Sequence, residues 1–182
     1  MVLFLCAIIF IGDNMKIMFV SDIHGSSGKI DLLKEIYDKE LPDKIIFLGD
    51  LFYGPDSSYL TEKYRYFRNA FFIRGNCDRD IDVEESGLGF MNYYYFENFN
   101  KVIFCTHGHI YSEYNPPDIE FDIFVSGHTH RGKIEKIGKQ YFLNPGSLSY
   151  PRGGSRPSYM IIDDTGIYLK EIDQKIIEKS LW

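Results

Sequence analysis

Five short apolar runs in this chain each end in a cluster of glycine, serine or threonine with aspartate, asparagine or histidine, and this limits the fold more than any other feature. Ser21-Asp22-Ile23-His24-Gly25 closes the run Lys16–Ser21, and Gly49-Asp50 closes Lys44–Leu48. Gly75-Asn76-Cys77-Asp78 follows Ala70–Ile73. Thr106-His107-Gly108-His109 ends Lys101–Thr106, and Gly127-His128-Thr129-His130 ends Asp122–Ser126. Apolar runs of this length bounded by turn residues read as buried strands. All five histidines of the chain sit in these clusters, whereas histidines used for packing would scatter. Ligands of open α/β sheets lie in the crevice beyond the carboxyl ends of the strands. Five such ends would therefore deliver oxygen and imidazole groups to one place.

The segments between them define the fold class. Gly28–Glu40 carries Ile30, Leu33 and Ile36/Tyr37 at helical spacing, with Pro42 as a stop. Ser58–Asn69 predicts a second helix, so the first half is a β-α-β-α-β series and implies a parallel sheet. The second half reads as hairpins. Asn92–Phe96 and Lys101–Thr106 flank a loop over Glu97–Asn100, and Lys133–Ile137 and Gln140–Asn144 flank the tight turn Gly138-Lys139. Ser158–Asp163 and Ile167–Asp173 flank Thr165-Gly166. The expectation is a single α/β domain of two mixed β-sheets packed face to face, with helices outside.

A chain of 182 residues is long enough to bury one sizeable core. Net charge −6 and pI near 5.3 disfavour a polyanion, so no nucleic-acid polymer is expected as partner. Cys6, Cys77 and Cys105 form neither a disulfide framework nor a zinc ribbon, which points to a reducing, cytoplasmic setting. Met1–Ile11 is apolar but shorter than the ~20 residues that span a bilayer, and it lacks a signal peptide's flanks, so no membrane partner is expected. Met15-Lys16-Ile17-Met18 reads as a fresh start. Residues 1–14 are thus expected to be an extension outside the functional domain, 15–182. Ile8–Asp13 mimics Ile45–Asp50, and Asp13 is taken as a decoy.

Carboxylate, amide and imidazole together suit Mn²⁺, Fe, Zn²⁺ or Ni²⁺ better than Ca²⁺. Asp22, His24, Asp50, Asn76, His107, His128 and His130 offer seven ligands, more than one such ion uses. Two ions about 3.5–4 Å apart, sharing a carboxylate, use them well and can clamp a phosphoryl group. Each cluster alone is weak, since Asp22 could be a helix cap and Gly49-Asp50 a plain turn. The ordered set is specific.

These blocks, in this order, resemble the calcineurin-like metallophosphoesterase superfamily over roughly residues 15–175. They are most similar to its small YfcE-type phosphodiesterases, which share the Gly-Asn-Cys-Asp block and the later Asn144-Pro145-Gly146-Ser147. The resemblance implies a four-layer αββα sandwich and hydrolysis of a small-molecule phosphoester. It implies that Asp22, His24, Asp50 and His130 hold one ion, and that Asp50 bridges to a second, completed by Asn76, His107 and His128. Asn76 would also face a substrate phosphate oxygen. The implied nucleophile is a metal-bridging water or hydroxide attacking in line with the leaving alcohol. Manganese is the first expectation, with iron, zinc or nickel as alternatives.

Where many relatives carry histidine after Gly-Asn, this chain has Cys77. A thiol replaces an imidazolium poorly, so diesters or activated esters should be preferred over monoesters with poor leaving groups. Cys77 and His109 are candidate substrate contacts beside Asn76. His109 is either the missing proton donor or a hydrogen-bond partner of a ligand. Cys105 is expected in the core and Asn144–Ser147 at the rim of the site, while Arg131, Arg152 and Arg156 lie near the late motifs and are expected as solvated positions, with neutralising a phosphate as the alternative. Tyr93-Tyr94-Tyr95 predicts strand packing or a contact between subunits, which leaves a homo-oligomer open. The alternative is a scaffold: a relative of this fold in the retromer coat has lost part of its metal set and binds proteins. All seven ligand positions are intact here, which weighs against it.

Overall fold

The structure is a computed structural model that describes residues 14–53 and 58–182. The apolar run Met1–Ile11, Cys6 and the decoy Asp13 lie outside the described residues. Strand β1 (Ile17–Val20) leads into helix α1 (Ser27–Glu40), then β2 (Lys44–Phe47), α2 (Ser58–Tyr64) and β3 (Ala70–Phe72). Helix α3 (Asp80–Ser86) precedes the hairpin β4 (Tyr93–Asn98) and β5 (Lys101–Thr106). Next come β6 (Ile123–Ser126), the hairpin β7 (Lys133–Ile137) and β8 (Gln140–Asn144), and the meander β9 (Ser158–Asp163), β10 (Gly166–Glu171) and β11 (Ile176–Leu181).

Two mixed sheets result. The first has the order β11-β10-β9-β1-β2-β3, with β1, β2 and β3 parallel, and the second has the order β4-β5-β6-β8-β7. Alternation along the strands sorts the side chains into layers. Ile17, Phe19, Ile46 and Leu48 face the second sheet and meet Ile103, Cys105, Ile123 and Val125 there. Met18, Val20, Ile45 and Phe47 face outward and pack on Ile30, Leu33 and Ile36 of α1 and on Tyr64 of α2. Cys105 is core, as expected. On the far side Phe104, Phe124 and Phe142 are capped by Phe121 and Tyr111, from the loop between β5 and β6. That loop is the outermost layer over the second sheet among the described residues.

Several local expectations shift. Phe99 and Asn100 both have left-handed φ, 53° and 52°, so the β4–β5 hairpin closes on two residues and β4 runs on to Asn98, while β5 keeps its expected bounds. Helix α2 stops at Tyr64, because Phe67 turns in to pack on Phe47. Helix α3 and edge strand β11 were not anticipated. Tyr94 lies between the sheets, while Tyr93 stacks on Phe104 at the outer face. No helix among the described residues is long and apolar enough to cross a membrane.

Candidate metal centre

Histidines and acids converge where the strands end, but their aim comes from the turns and not from strand alternation. Strand β1 stops at Val20, so Asp22 and His24 lie beyond it, in the turn. Both adopt left-handed backbone, φ 55° and 47°, as do Asp50 (55°), His128 (65°) and His130 (60°). For a residue with a Cβ this costs about 1–2 kcal/mol, and such strain collects at functional sites. The loop after β1 is zipped to the loop after β2: the N–H groups of Asp22, His24 and Gly25 donate to the carbonyls of Gly49, Asp50 and Leu51 at 3.1, 2.8 and 2.9 Å. Two glycines permit the closure. A Cβ on Gly75 would lie 2.1 Å from Asp50 Oδ1, and one on Gly127 would lie 1.8 Å from Ser21 Oγ.

Two further groups hold the loops, and sequence reasoning missed the first. The buried carboxylate of Asp78 accepts four backbone N–H groups: Leu51 (2.8 Å) and Phe52 (2.9 Å) on Oδ1, Asp50 (2.9 Å) and Gly75 (2.8 Å) on Oδ2. It thereby ties the loop after β2 to the loop after β3. Its only sequence signal is an acid closing the Gly-Asn-Cys turn. The Asn144–Ser147 turn does similar work on the other side. Asn144 Nδ2 donates to the Gly127 carbonyl at 2.7 Å, and the Ser147 hydroxyl donates to the Asp22 carbonyl at 2.7 Å.

The structure brings all seven candidate ligands together. Ligand atoms of Asp22, His24, Asp50 and His130 lie within 4.8 Å of one another, as do those of Asp50, His107 and His128. Asp50 belongs to both groups: its Oδ2 is 3.7 Å from His24 Nε2 and its Oδ1 is 3.4 Å from His107 Nε2. Asn76 Oδ1 adds to the second group, 3.1 Å from His107 Nε2. Such spacings suit donors around a common ion, since bonds of about 2.0–2.2 Å at open angles put neighbouring donors roughly 3–3.5 Å apart.

The donors also demand positive charge. His130 Nδ1 lies 2.7 Å from the Tyr150 carbonyl and His107 Nδ1 lies 2.7 Å from the Leu48 carbonyl. A carbonyl only accepts, so both Nδ1 atoms carry hydrogen and the Nε2 atoms of the neutral rings are lone pairs. His130 Nε2 then faces His24 Nε2 at 3.3 Å and Asp22 Oδ1 at 3.3 Å, and that buried oxygen has no hydrogen-bond partner. Lone pairs facing one another in a buried site require protons or a cation. The residues present therefore fit a divalent metal.

Electrostatics agree. Burial raises the Asp22 carboxyl above its usual range, against the pull of His107. Burial would also raise Asp50, but His107 and the Cys77 N–H hold it well below the usual carboxylate range. Burial opposes a proton on His107, yet Asp50 and Asp22 lift its pKa. Burial and neighbouring imidazoles lower His109 and His128, and burial lowers His24. Burial and the Asp50 charge push the Cys77 thiol up to about 11. His109 is exposed, its ring 5.3 Å from that of His107, and it has no hydrogen bond to another described residue.

Two cavities open at the centre. One, of about 530 Å³, is lined by His24, Tyr53, Cys77, His130, Tyr150 and Arg152. The other, of about 650 Å³, lies beside His128, with Arg131, Lys133, Glu113 and Arg152 in its wall. Arg156 is instead paired with Glu171 at 2.6 Å.

Two facing mixed sheets with Asp, Asn and His donors on the loops at their strand ends define a candidate divalent-metal site in an α/β sandwich. Comparison with known proteins gives the family. A sequence model of the calcineurin-like phosphoesterase superfamily domain matches residues 15–165. Phosphodiesterase YfcE of Escherichia coli K12 is 31% identical, over 90% of this chain and 96% of its own. The solved structure of that phosphoesterase superposes with a TM-score of 0.84 at 29% identity, covering 92% of this chain and 99% of the other. A probable metallophosphoesterase of Bacillus subtilis, YsnB, is 24% identical, over 81% of this chain and 83% of its own. Zinc-bound Vps29 of Entamoeba histolytica shares the fold, with a TM-score of 0.65 at 20% identity, over 92% of this chain and 99% of the other. The chain belongs to the calcineurin-like phosphoesterase superfamily.

Proposed function

We propose that the chain is a phosphodiesterase working with two divalent ions, Mn²⁺ foremost, on a small phosphoester in the cytoplasm, through residues 15–182. The observation that carries this reading is Asp50, whose two oxygens face two separate donor groups. Asp22, His24, Asp50 and His130 would hold one ion, and Asp50, Asn76, His107 and His128 the other. When bound, the ions supply charge for the phosphoryl oxygens and lower the pKa of a water placed for in-line attack on phosphorus.

The chain's own residues do the positioning. The Tyr150 and Leu48 carbonyls fix the tautomers of His130 and His107, and Asp78 holds Asp50 in place. Asn76 is exposed beside His107, where it can also meet a phosphate oxygen. Cys77, with its thiol pKa pushed up to about 11, is a weak proton donor at neutral pH, and His109, its ring 5.3 Å from that of His107, is the alternative donor. A weak acid suits substrates whose leaving alcohol needs little protonation, and two cavities meeting at the centre leave room for both arms of a diester.

The test compares bis(4-nitrophenyl) phosphate with 4-nitrophenyl phosphate, each with Mn²⁺ and with a chelator. Chelation and Asp50→Asn are expected to abolish turnover of the diester. Turnover that survives both sinks the mechanism. A folded, metal-loaded protein inert to both esters would favour the scaffold.

A further inference from the structure

Two of the arginines are set apart by their lack of an acidic partner together with their place in one cavity. Arg65, Arg74, Arg79 and Arg156 each pair with a carboxylate, namely Glu62, Asp80, Asp82 and Glu171. Arg131 and Arg152, like Arg68, pair with no carboxylate among the described residues, although acids outnumber bases 26 to 20 in the chain. Both line the cavity of about 650 Å³ beside His128. The carboxylate in that wall, Glu113, is already engaged by Lys133, which also holds Glu135 at 2.9 Å. The wall therefore carries two uncompensated guanidiniums.

Both arginines are exposed, but the side chain of one and the backbone of the other are placed by the fold. A Cβ on Gly153 would lie 2.6 Å from Arg131 Nε, so the guanidinium rests against the backbone of that turn, where φ is 63°. The Arg152 N–H donates to the carbonyl of His130 at 3.0 Å, which ties its backbone to the metal centre. A diester phosphate carries one negative charge, which two bound divalent ions would more than neutralise. Two further cations on one side exceed what that phosphate needs. Guanidinium forks match the paired oxygens of a carboxylate or phosphate.

We propose that the Arg131–Arg152 cavity is a subsite for a second anionic group, carboxylate or phosphate, on one arm of the substrate. The inference rests on the phosphodiesterase reading and narrows its substrate class to small diesters with one further anion. The other arm is left to the cavity edged by Tyr53 and Tyr150, which Arg152 also borders, so Arg131 is the guanidinium that belongs to the anion cavity alone.

The test is calorimetric binding to the Mn²⁺-loaded protein of three probes: ethyl phosphate, 2-phosphoglycolate and ethylene glycol bisphosphate. The two probes with a second anion are expected to bind at least about tenfold tighter than ethyl phosphate, the usual scale for charge-assisted pairing. Whichever gains more tells carboxylate from phosphate. Arg131→Gln and Arg152→Gln should each reduce the preference, and the double variant should erase it. Equal affinity of the wild type for all three probes, or a preference that survives the double substitution, overturns the subsite. Turnover of bis(4-nitrophenyl) phosphate by the same protein, measured alongside, judges the phosphodiesterase reading separately.

Discussion

Removing one oxygen of Asp78 tests whether the centre is held by that carboxylate. In Asp78→Asn an amide NH₂ replaces one oxygen, and each oxygen now accepts two N–H groups: Leu51 and Phe52 on one, Asp50 and Gly75 on the other. Whichever way the amide turns, two backbone donors face a donor. A buried donor left unpaired costs about 1–3 kcal/mol, so the substitution should cost about 4 kcal/mol. That is a large share of the roughly 5–15 kcal/mol that holds a domain together. With a urea slope of about 2 kcal/mol/M the midpoint should fall by about 2 M, and the melting temperature by about 8–16 °C. The measurement is made in chelator, so that the loss reflects the protein alone, and is then repeated with Mn²⁺ to read the affinity of the centre. A shift under about 2 °C at an unchanged urea slope would refute the clamp, since the four contacts would then be carrying no load.

Three further outcomes follow from the geometry. Gly75→Ala forces a methyl into Asp50 Oδ1 and should weaken Mn²⁺ binding at least about tenfold by calorimetry, and unaltered affinity would count against Asp50 as the shared ligand. Cys77→His should raise monoester turnover relative to diester turnover by about 10²-fold, the lower range for a positioned general acid, and a constant ratio would exclude the thiol as the reason for the preference. Glu40 is buried, which raises its pKa, but Lys170, Tyr159 and Lys16 hold it below its ordinary value of 4.5. Its contribution is therefore fully present above about pH 4.5 and lost as pH falls through the lowered value. Glu40→Gln should cost about 2–4 kcal/mol at pH 7 and less in acid, and a penalty independent of pH would break the assignment.

How far the chain could be read depended on whether the signal was local. Strands β7, β8 and β9 fall where the apolar runs and Gly138-Lys139 put them, because alternation and turn chemistry are short-range. Strand β11 escaped because its Ile176, Ile177 and Leu181 stay exposed, and what holds it is long-range: pairing with β10 and the contacts of Glu178 and Ser180 with Ile134 and Tyr141 of the other sheet. Helix α3 buries Asp82 and Ser86 and lacks an apolar stripe. At the centre, residue types at strand ends sufficed to nominate seven side chains that the structure gathers. The means of gathering could not be read. Left-handed turns at histidine and the Asp78 tie span separate loops, and no local pattern encodes either.

The left-handed backbone at five of the donor positions has a consequence for descent. Glycine or asparagine would adopt those angles at lower cost, so each His or Asp kept there opposes the chain's own thermal endurance. A lineage that abandoned catalysis could relax these corners one at a time and become sturdier with every loss. Descendants of such a chain would therefore drift toward inert, durable shells.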